Sequence, residues 1–408
     1  MIFLYFFEWR IGLRIPVRRA FFTQYTNPAG YPPLQHAINI LLEAGWIVDT
    51  LGVRAPDGAV PLRLSLHSRL TVKMMQRPAP GLLQKLHYAL FCVRSSWIVY
   101  LRRPALVYAS DPMGAPVALM ALALGRRNVV YHEHDAPAEA NTAFQSFISR
   151  LRRSVCRRAT SVVVPNQGRA NDLTECAGVV HDRIFTVFNC PSQMELTTDS
   201  ASFKPLDGES DFWLYFHGSI VPDRLPHAVV DALALLPNRV RLRIAGYETE
   251  GSVGYTRTLM DRARHLGIAD RLESVGAVPD RSALLQYARA SHLGLALMPM
   301  ETDDINMTHM VGASNKPFDY LACGCPLIVS NLPEWIDMYV RNGLARACDP
   351  RSPESIVEAV MYWLADEKRY CDAQLEGLRR IKTDWNYETQ FAPVLARINE
   401  NSASVEYR

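Results

Sequence analysis

The sequence of 408 residues has no run of about 20 apolar residues, the length that a membrane-crossing helix needs. Its apolar beginning, Met1-Ile-Phe-Leu-Tyr-Phe-Phe7, is interrupted by Glu8, Arg10 and Arg14. It has neither the basic stretch before the apolar run nor the small-residue cleavage site of a signal peptide. A surface anchor, or a start placed ahead of the true first strand, are the readings left. Cysteine pairs are equally scarce. The eight cysteines are scattered, and only Cys323 and Cys325 lie close. Without a second pair, or two histidines at ligand spacing, no zinc pattern forms, and free thiols in a reducing cytosol are expected. Tandem repeats and low-complexity tracts are also missing, which excludes solenoids and long linkers.

Acid is scarce in the first half only. Through residue 197 there are 22 Lys and Arg against 12 Asp and Glu, and beyond it 22 against 29. A basic half attracts anions such as lipid headgroups or phosphorylated acceptors, although a solvated face gives the same count. The basic residues are dispersed and the second half is acidic, so nucleic-acid binding is not expected.

A chain of this length exceeds what one hydrophobic core serves, so two domains are predicted. Short apolar runs alternate with helical spacing. Strands are predicted over 19–25, 46–51, 105–108, 128–131, 161–164 and 184–187, with helices over 34–44, 81–100, 114–124, 143–158 and 168–175. A polar stretch over 192–210 reads as a linker. The pattern then restarts, with strands over 211–217, 240–245, 272–275, 292–298 and 326–329 and helices over 227–236 and 255–266. Such alternation predicts α/β architecture, two Rossmann-like domains with parallel sheets and an interdomain cleft. Ligands bind beyond the carboxyl ends of such strands, so the loops after Tyr25, Tyr131, His217 and Ala245 are the candidate site.

Three of these segments carry ionisable residues. In Phe216-His-Gly-Ser-Ile-Val-Pro-Asp-Arg-Leu-Pro226, Gly218 permits close backbone approach and Arg224 can neutralise a diphosphate. In Ser314-Asn-Lys-Pro-Phe-Asp319, Lys316 and Asp319 are three apart and share a helix face, a cation for phosphate beside an acceptor for ribose hydroxyls. Their plain alternative is a surface salt bridge. In Tyr131-His-Glu-His-Asp135, His134 can donate to a sugar hydroxyl or a developing charge, with Asp135 or Glu133 orienting it. Here a structural hydrogen bond, or a metal cluster, are the alternatives.

In their order these segments resemble the family 4 glycosyltransferases of the two-domain GT-B fold. The likeness runs through Asn27-Pro-Ala-Gly30, Ala109-Ser-Asp-Pro112, Tyr131–Asp135, Val164-Pro-Asn166, Phe188-Asn-Cys-Pro191, Gly218 to Arg224, Ile244-Ala-Gly246 and Lys316 to Gly324. The resemblance implies a retaining glycosyltransferase of hexosyl type. It would take a sugar from a nucleotide-diphosphate donor to a glycan or lipid-linked acceptor in envelope polysaccharide or glycolipid synthesis. It implies residues 1–197 as the acceptor domain, 198–385 as the nucleotide-sugar domain, and 386–408 as a helix and tail returning to the first domain.

The resemblance further implies Arg224 and Lys316 on the diphosphate, Asp319 on the ribose, and Gly218, Ser219 and Gly246 beside the donor. His134 would lie near the transferred sugar, and Gly30 and Asp135 by the acceptor. No cofactor or metal is required. The protein would be cytoplasmic, in peripheral contact with the inner face of an anionic membrane. Two family positions are altered. Ser219 stands where a second basic residue is usual, and Val311, in an ungapped alignment, where the first of two glutamates belongs; a shifted alignment brings Glu301, Asp303 or Asp304 nearby instead. A catalytically silent protein that binds a nucleotide sugar or scaffolds a partner is therefore the alternative.

Overall fold

The structure is a computed structural model that describes residues 18–55, 64–79, 81–137, 141–196, 204, 206, 208–278 and 280–406. The apolar beginning and, within the 192–210 stretch, residues 197–203, 205 and 207 lie outside them.

The first half alternates as β1 (Arg19–Thr23), α1 (Pro32–Glu43), β2 (Ile47–Val53), β3 (Leu70–Met75), α2 (Leu82–Arg102), β4 (Leu106–Ser110), α3 (Asp111–Ala123), β5 (Val129–His132), α4 (Ala143–Arg158), β6 (Ser161–Val164), α5 (Gln167–Ala177) and β7 (Ile184–Thr186). All seven strands are parallel, in the order β3-β2-β1-β4-β5-β6-β7. Alternate strand residues serve opposite faces: Phe21, Val107 and Tyr131 pack under α2 to α5, whereas Phe22, Tyr108 and Val130 pack on α1. Periodicity did not reveal β3. As an edge strand it leaves Thr71, Val72 and Lys73 exposed, so no apolar run marks it.

The second half continues as β8 (Phe212–Ile220), α6 (His227–Leu235), β9 (Val240–Glu248), α7 (Tyr255–His265), β10 (Leu272–Gly276), α8 (Arg281–Arg289), β11 (Leu293–Ala296), α9 (Ile305–Thr308), α10 (Asn315–Ala322), β12 (Leu327–Ser330), α11 (Pro333–Trp335), β13 (Ala345–Cys348), α12 (Pro353–Leu364) and α13 (Glu367–Thr383). Its six strands are parallel in the order β10-β9-β8-β11-β12-β13. Leu214, Leu242 and Leu295 face α6 and α12, and Tyr215, Ala296 and Val329 face the opposite core with α8 and α10.

The last helix, α14 (Tyr387–Glu406), leaves the second half and packs on the first sheet. Tyr387, Phe391, Val394 and Ile398 join the core beneath α1. Asn128 clamps it, its Nδ2 donating to Ile398 O at 2.8 Å and Ser402 Oγ at 3.0 Å. No helix among the described residues is long and apolar enough to cross a membrane.

Candidate active site between the two sheets

In both sheets strand order reverses at one point, between β1 and β4 and between β8 and β11. Crossover helices leave these points in opposite directions and open a crevice at the carboxyl ends of the strands. On the second sheet the crevice is basic. β8 carries Gly218 at a φ of 106°, a conformation suited to glycine. A Cβ there would lie 3.3 Å from Lys316 Cε and Nζ, so the lysine passes over bare backbone. Lys316 is 6% exposed, and among the described residues no hydrogen bond or ion pair engages its ammonium. Burial, and then the neighbouring Arg224 charge, bring its pKa down to about 7. Arg224 donates to Ser219 Oγ at 2.9 Å, lacks a carboxylate partner among the described residues, and is also lowered by burial. A buried ammonium beside a half-buried guanidinium, neither in an ion pair among the described residues, is costly, and a phosphate group between them would relieve the cost.

On the first sheet the crevice is lined by uncharged and acidic groups. His134, 5% exposed, follows β5, and neither ring nitrogen has a hydrogen-bond partner among the described residues. Burial, with Arg169 nearby, lowers its pKa to about 3, so the imidazole is neutral. Its backbone is held at both ends. Its N–H donates to Asp111 Oδ1 at 2.9 Å, and its carbonyl accepts from Arg169 at 2.5 Å. Tyr31 stacks obliquely on the ring at 5.0 Å. Asp111, which opens α3 at the β1/β4 reversal with a φ of 61°, also accepts from Gln24 Nε2 at 3.2 Å. Burial pushes its carboxyl up to about 7.

The two linings meet. Asn306 of α9 exchanges two hydrogen bonds with the Ala136 backbone, at 2.8 and 3.0 Å. Asn166 Nδ2 donates to the carbonyls of His309 and Val311, both at 2.8 Å. Across this closure Arg224 feels the carboxylate of Asp135, and Tyr31 the hydroxyl of Tyr247.

A family model for the glycosyl transferase 4-like domain matches residues 34–190, and one for glycosyl transferases group 1 matches residues 198–377. The chain belongs to the family 4-like glycosyltransferases. Its fold is GT-B. Among solved structures, the Anabaena protein Alr3699/HepE in complex with UDP and glucose is similar, at 16% identity and a TM-score of 0.67, covering 94% of this chain and all (100%) of that one. Sucrose-phosphate synthase from Thermosynechococcus elongatus gives 14% identity and a TM-score of 0.70, covering 95% and 100%. WaaG, a glycosyltransferase involved in lipopolysaccharide biosynthesis, gives 12% and 0.61, covering 92% and 98%. No curated protein matches the sequence.

Within this glycosyltransferase the residues singled out in the sequence divide into two sets. Gly218, Ser219, Arg224 and Lys316 come together on one wall, and His134 and Asp135 stand on the other. Gly30 ends an open turn, with nothing within 4 Å of a Cβ placed on it. Gly246 has a packing requirement of its own, since a Cβ there would lie 1.8 Å from Gly218 O.

Asp319 requires a correction. It has no exposed surface in this conformation, and both its oxygens accept from Arg281, at 3.1 and 2.5 Å. It therefore does not present itself to ribose hydroxyls, but joins α10 to α8. Arg281 also donates to Glu195 at 2.5 Å, which lies 3.5 Å from His36 Nε2, so the network reaches α1 of the first half. Burial lowers the Arg281 pKa, but the Asp319 and Glu195 carboxylates outweigh it and hold the guanidinium charged. Glu133 does not orient His134 either. It is locked by Arg152 at 2.5 and 2.6 Å and by the Tyr131 hydroxyl at 2.9 Å. Asp111, in the motif Ala109-Ser-Asp-Pro112, takes that positioning part, and only its place just past an apolar strand could have signalled it. Among the described residues no three His, Cys, Asp or Glu side chains gather as a metal site.

Proposed function

We propose that this protein is a retaining hexosyltransferase that moves a sugar from a uridine diphosphate donor to a glycan or lipid-linked acceptor in envelope polysaccharide or glycolipid assembly. The observation that carries the reading is the couple of buried Lys316 and half-buried Arg224 by Gly218, neither of them in an ion pair among the described residues. The complexes of HepE with UDP and with UDP-glucose, and the part of WaaG in lipopolysaccharide biosynthesis, support the donor and the pathway.

The diphosphate lies against Lys316 and Arg224, with the Gly218 backbone beneath it and Ser219 steadying the guanidinium. The acceptor enters by Gly30, Tyr31 and Asp135, under His134. Its hydroxyl oxygen bonds to the anomeric carbon on the face from which the diphosphate departs. The carbon–oxygen bond to phosphate breaks, and the acceptor proton passes to the leaving phosphate oxygen. The protein's contribution is to hold the two partners in place and to stabilise the departing charge. A neutral His134 donates to a hydroxyl of the sugar without adding charge. The two cations are enough for the leaving group, so turnover should persist in chelator. The protein works at the cytoplasmic face of a membrane, where a lipid-linked acceptor is presented.

Arg224→Ala and Lys316→Ala should each lower turnover by roughly a hundredfold or more, the usual cost of removing one group that stabilises developing charge. The melting temperature without ligand should change little. UDP at about 100 times its dissociation constant should stabilise the wild type by about 2.7 kcal/mol. Stabilisation by UDP without turnover on any nucleotide sugar, with membrane extract as acceptor source, would identify a silent binder instead. The altered positions Val311 and Ser219 make that comparison worth running.

A further inference from the structure

Helix α2 buries one face, through Tyr88, Phe91, Ser95 and Val99, and leaves the opposite one bare. That bare face is not polar, as it is on an ordinary surface helix. Leu83, Leu86, Leu90, Val93, Trp97 and Tyr100 follow one another at intervals of three and four residues, and each is between 53% and 65% exposed. Trp97 and Tyr100 stack at 5.7 Å, two rings with polar tips beside an apolar stripe. A continuous apolar strip of this length marks a binding surface.

Charge narrows down the occupant. Residues 58–110 contain eight Lys and Arg and no Asp or Glu. Lys85, Arg94, Arg102 and Arg103 on and beside the helix are exposed. A second copy docking face to face would bring like charges together with no carboxylate to pair them, so self-association is disfavoured. A surface that is negative outside and apolar beneath satisfies both features, and an anionic bilayer has that layering.

Position adds a third observation. The amino-terminal end of α2 flanks the acceptor side of the crevice. The Tyr25 hydroxyl, just past β1, contacts His87 Nδ1 at 2.9 Å. Tyr88 donates to Met113 O at 3.0 Å, in the first turn of the helix that Asp111 opens. Phe144 of α4, itself partly exposed, meets Tyr88 edge-on at 5.8 Å and adds an aromatic ring beside this end of the helix.

We propose that α2 lies in the headgroup plane of an anionic bilayer, its Leu83-to-Tyr100 stripe in the acyl boundary and its basic residues on the headgroups, so that the crevice opens at the lipid surface. Delivery of a lipid-linked acceptor there rests on the transferase reading; the docking itself does not.

The full chain should co-sediment with vesicles containing phosphatidylglycerol and far less with phosphatidylcholine alone. Binding should weaken as salt rises from about 0.1 to about 1 M. Leu86→Glu with Val93→Glu should lower the partition roughly tenfold or more, while UDP still raises the melting temperature. Should that pair fail to fold, brominated lipid gives an independent reading: it should quench the fluorescence of the wild type, and Trp97→Phe should lose that quenching. Wild type that stays in solution with both vesicles overturns the proposal, as does unchanged binding of the glutamate pair. A dimer that the glutamate pair dissociates would also overturn it and assign the face to a second copy. Vesicle binding without sugar transfer would uphold the docking and defeat only the transferase reading.

Discussion

Lys316 shows how burial turns an ordinary side chain into a ligand-sensitive one. In the free protein its pKa is brought down to about 7 from 10.5, because the charged form is buried beside Arg224. A diphosphate favours that charged form and pushes the value back up. Between those two values, binding must therefore draw protons from solution. Calorimetry of UDP binding at about pH 8 in buffers of differing ionisation enthalpy should show uptake of roughly one proton. Lys316→Met should abolish the uptake. Release of protons, or none exchanged by the wild type, would count against a phosphate beside this lysine. The type of residue was legible here, since a lysine opening a helix before Gly324 is visible in the chain. Its lowered pKa was not, because that depends on burial and then on Arg224, which lies 92 positions earlier. His134 is similar: its place after β5 was readable, but its neutrality is set by burial and Arg169.

At the scale of elements, β8 and β9 run side by side over nine residue pairs, from Phe212 with Val240 to Ile220 with Glu248. Gly246 pairs with Gly218, and a Cβ on it would run into the Gly218 carbonyl. Gly246→Ala must push backbone against backbone, with no flexible side chain to yield. A loss of about 1–3 kcal/mol in urea unfolding is expected, together with weaker UDP binding, because Gly218 shifts away from Lys316. Unchanged stability would show that the strands separate freely. The interior strands were readable as short apolar runs, being buried on both faces. The edge strand β3 was not, since half-exposed strands carry no continuous apolar signal. The first part of the stretch read as a linker is also ordered: Ser192 and Glu195 form a capping box, and Glu195 reaches Arg281.

For the whole molecule, the relation of the two sheets depends on a few polar ties and on α14. Asn166 alone satisfies two carbonyls of the opposite half. Asn166→Ala leaves both without that partner, at roughly 1–3 kcal/mol. The free protein should then be more open by small-angle scattering, with a raised KM for the donor. With UDP bound the dimensions should return to those of the wild type. No change in either state would assign the closure to α14 and the Arg281 network instead.

Two parallel sheets, their separation near residue 200 and the family follow from the sequence by itself. Strand and helix periodicity is written within a few neighbouring residues, and the order of the motifs is that of a family whose models match residues 34–190 and 198–377. Only the tertiary structure decided which polar groups meet. Asp319, three residues from Lys316 and on the same helix, turns instead to Arg281, 38 positions away. Glu133 turns to Arg152 and leaves His134 to Asp111. These choices depend on how helices pack over a sheet and on which buried charge finds a partner. No local pattern carries that information, because the penalty for an unpaired buried charge exists only once the core has closed.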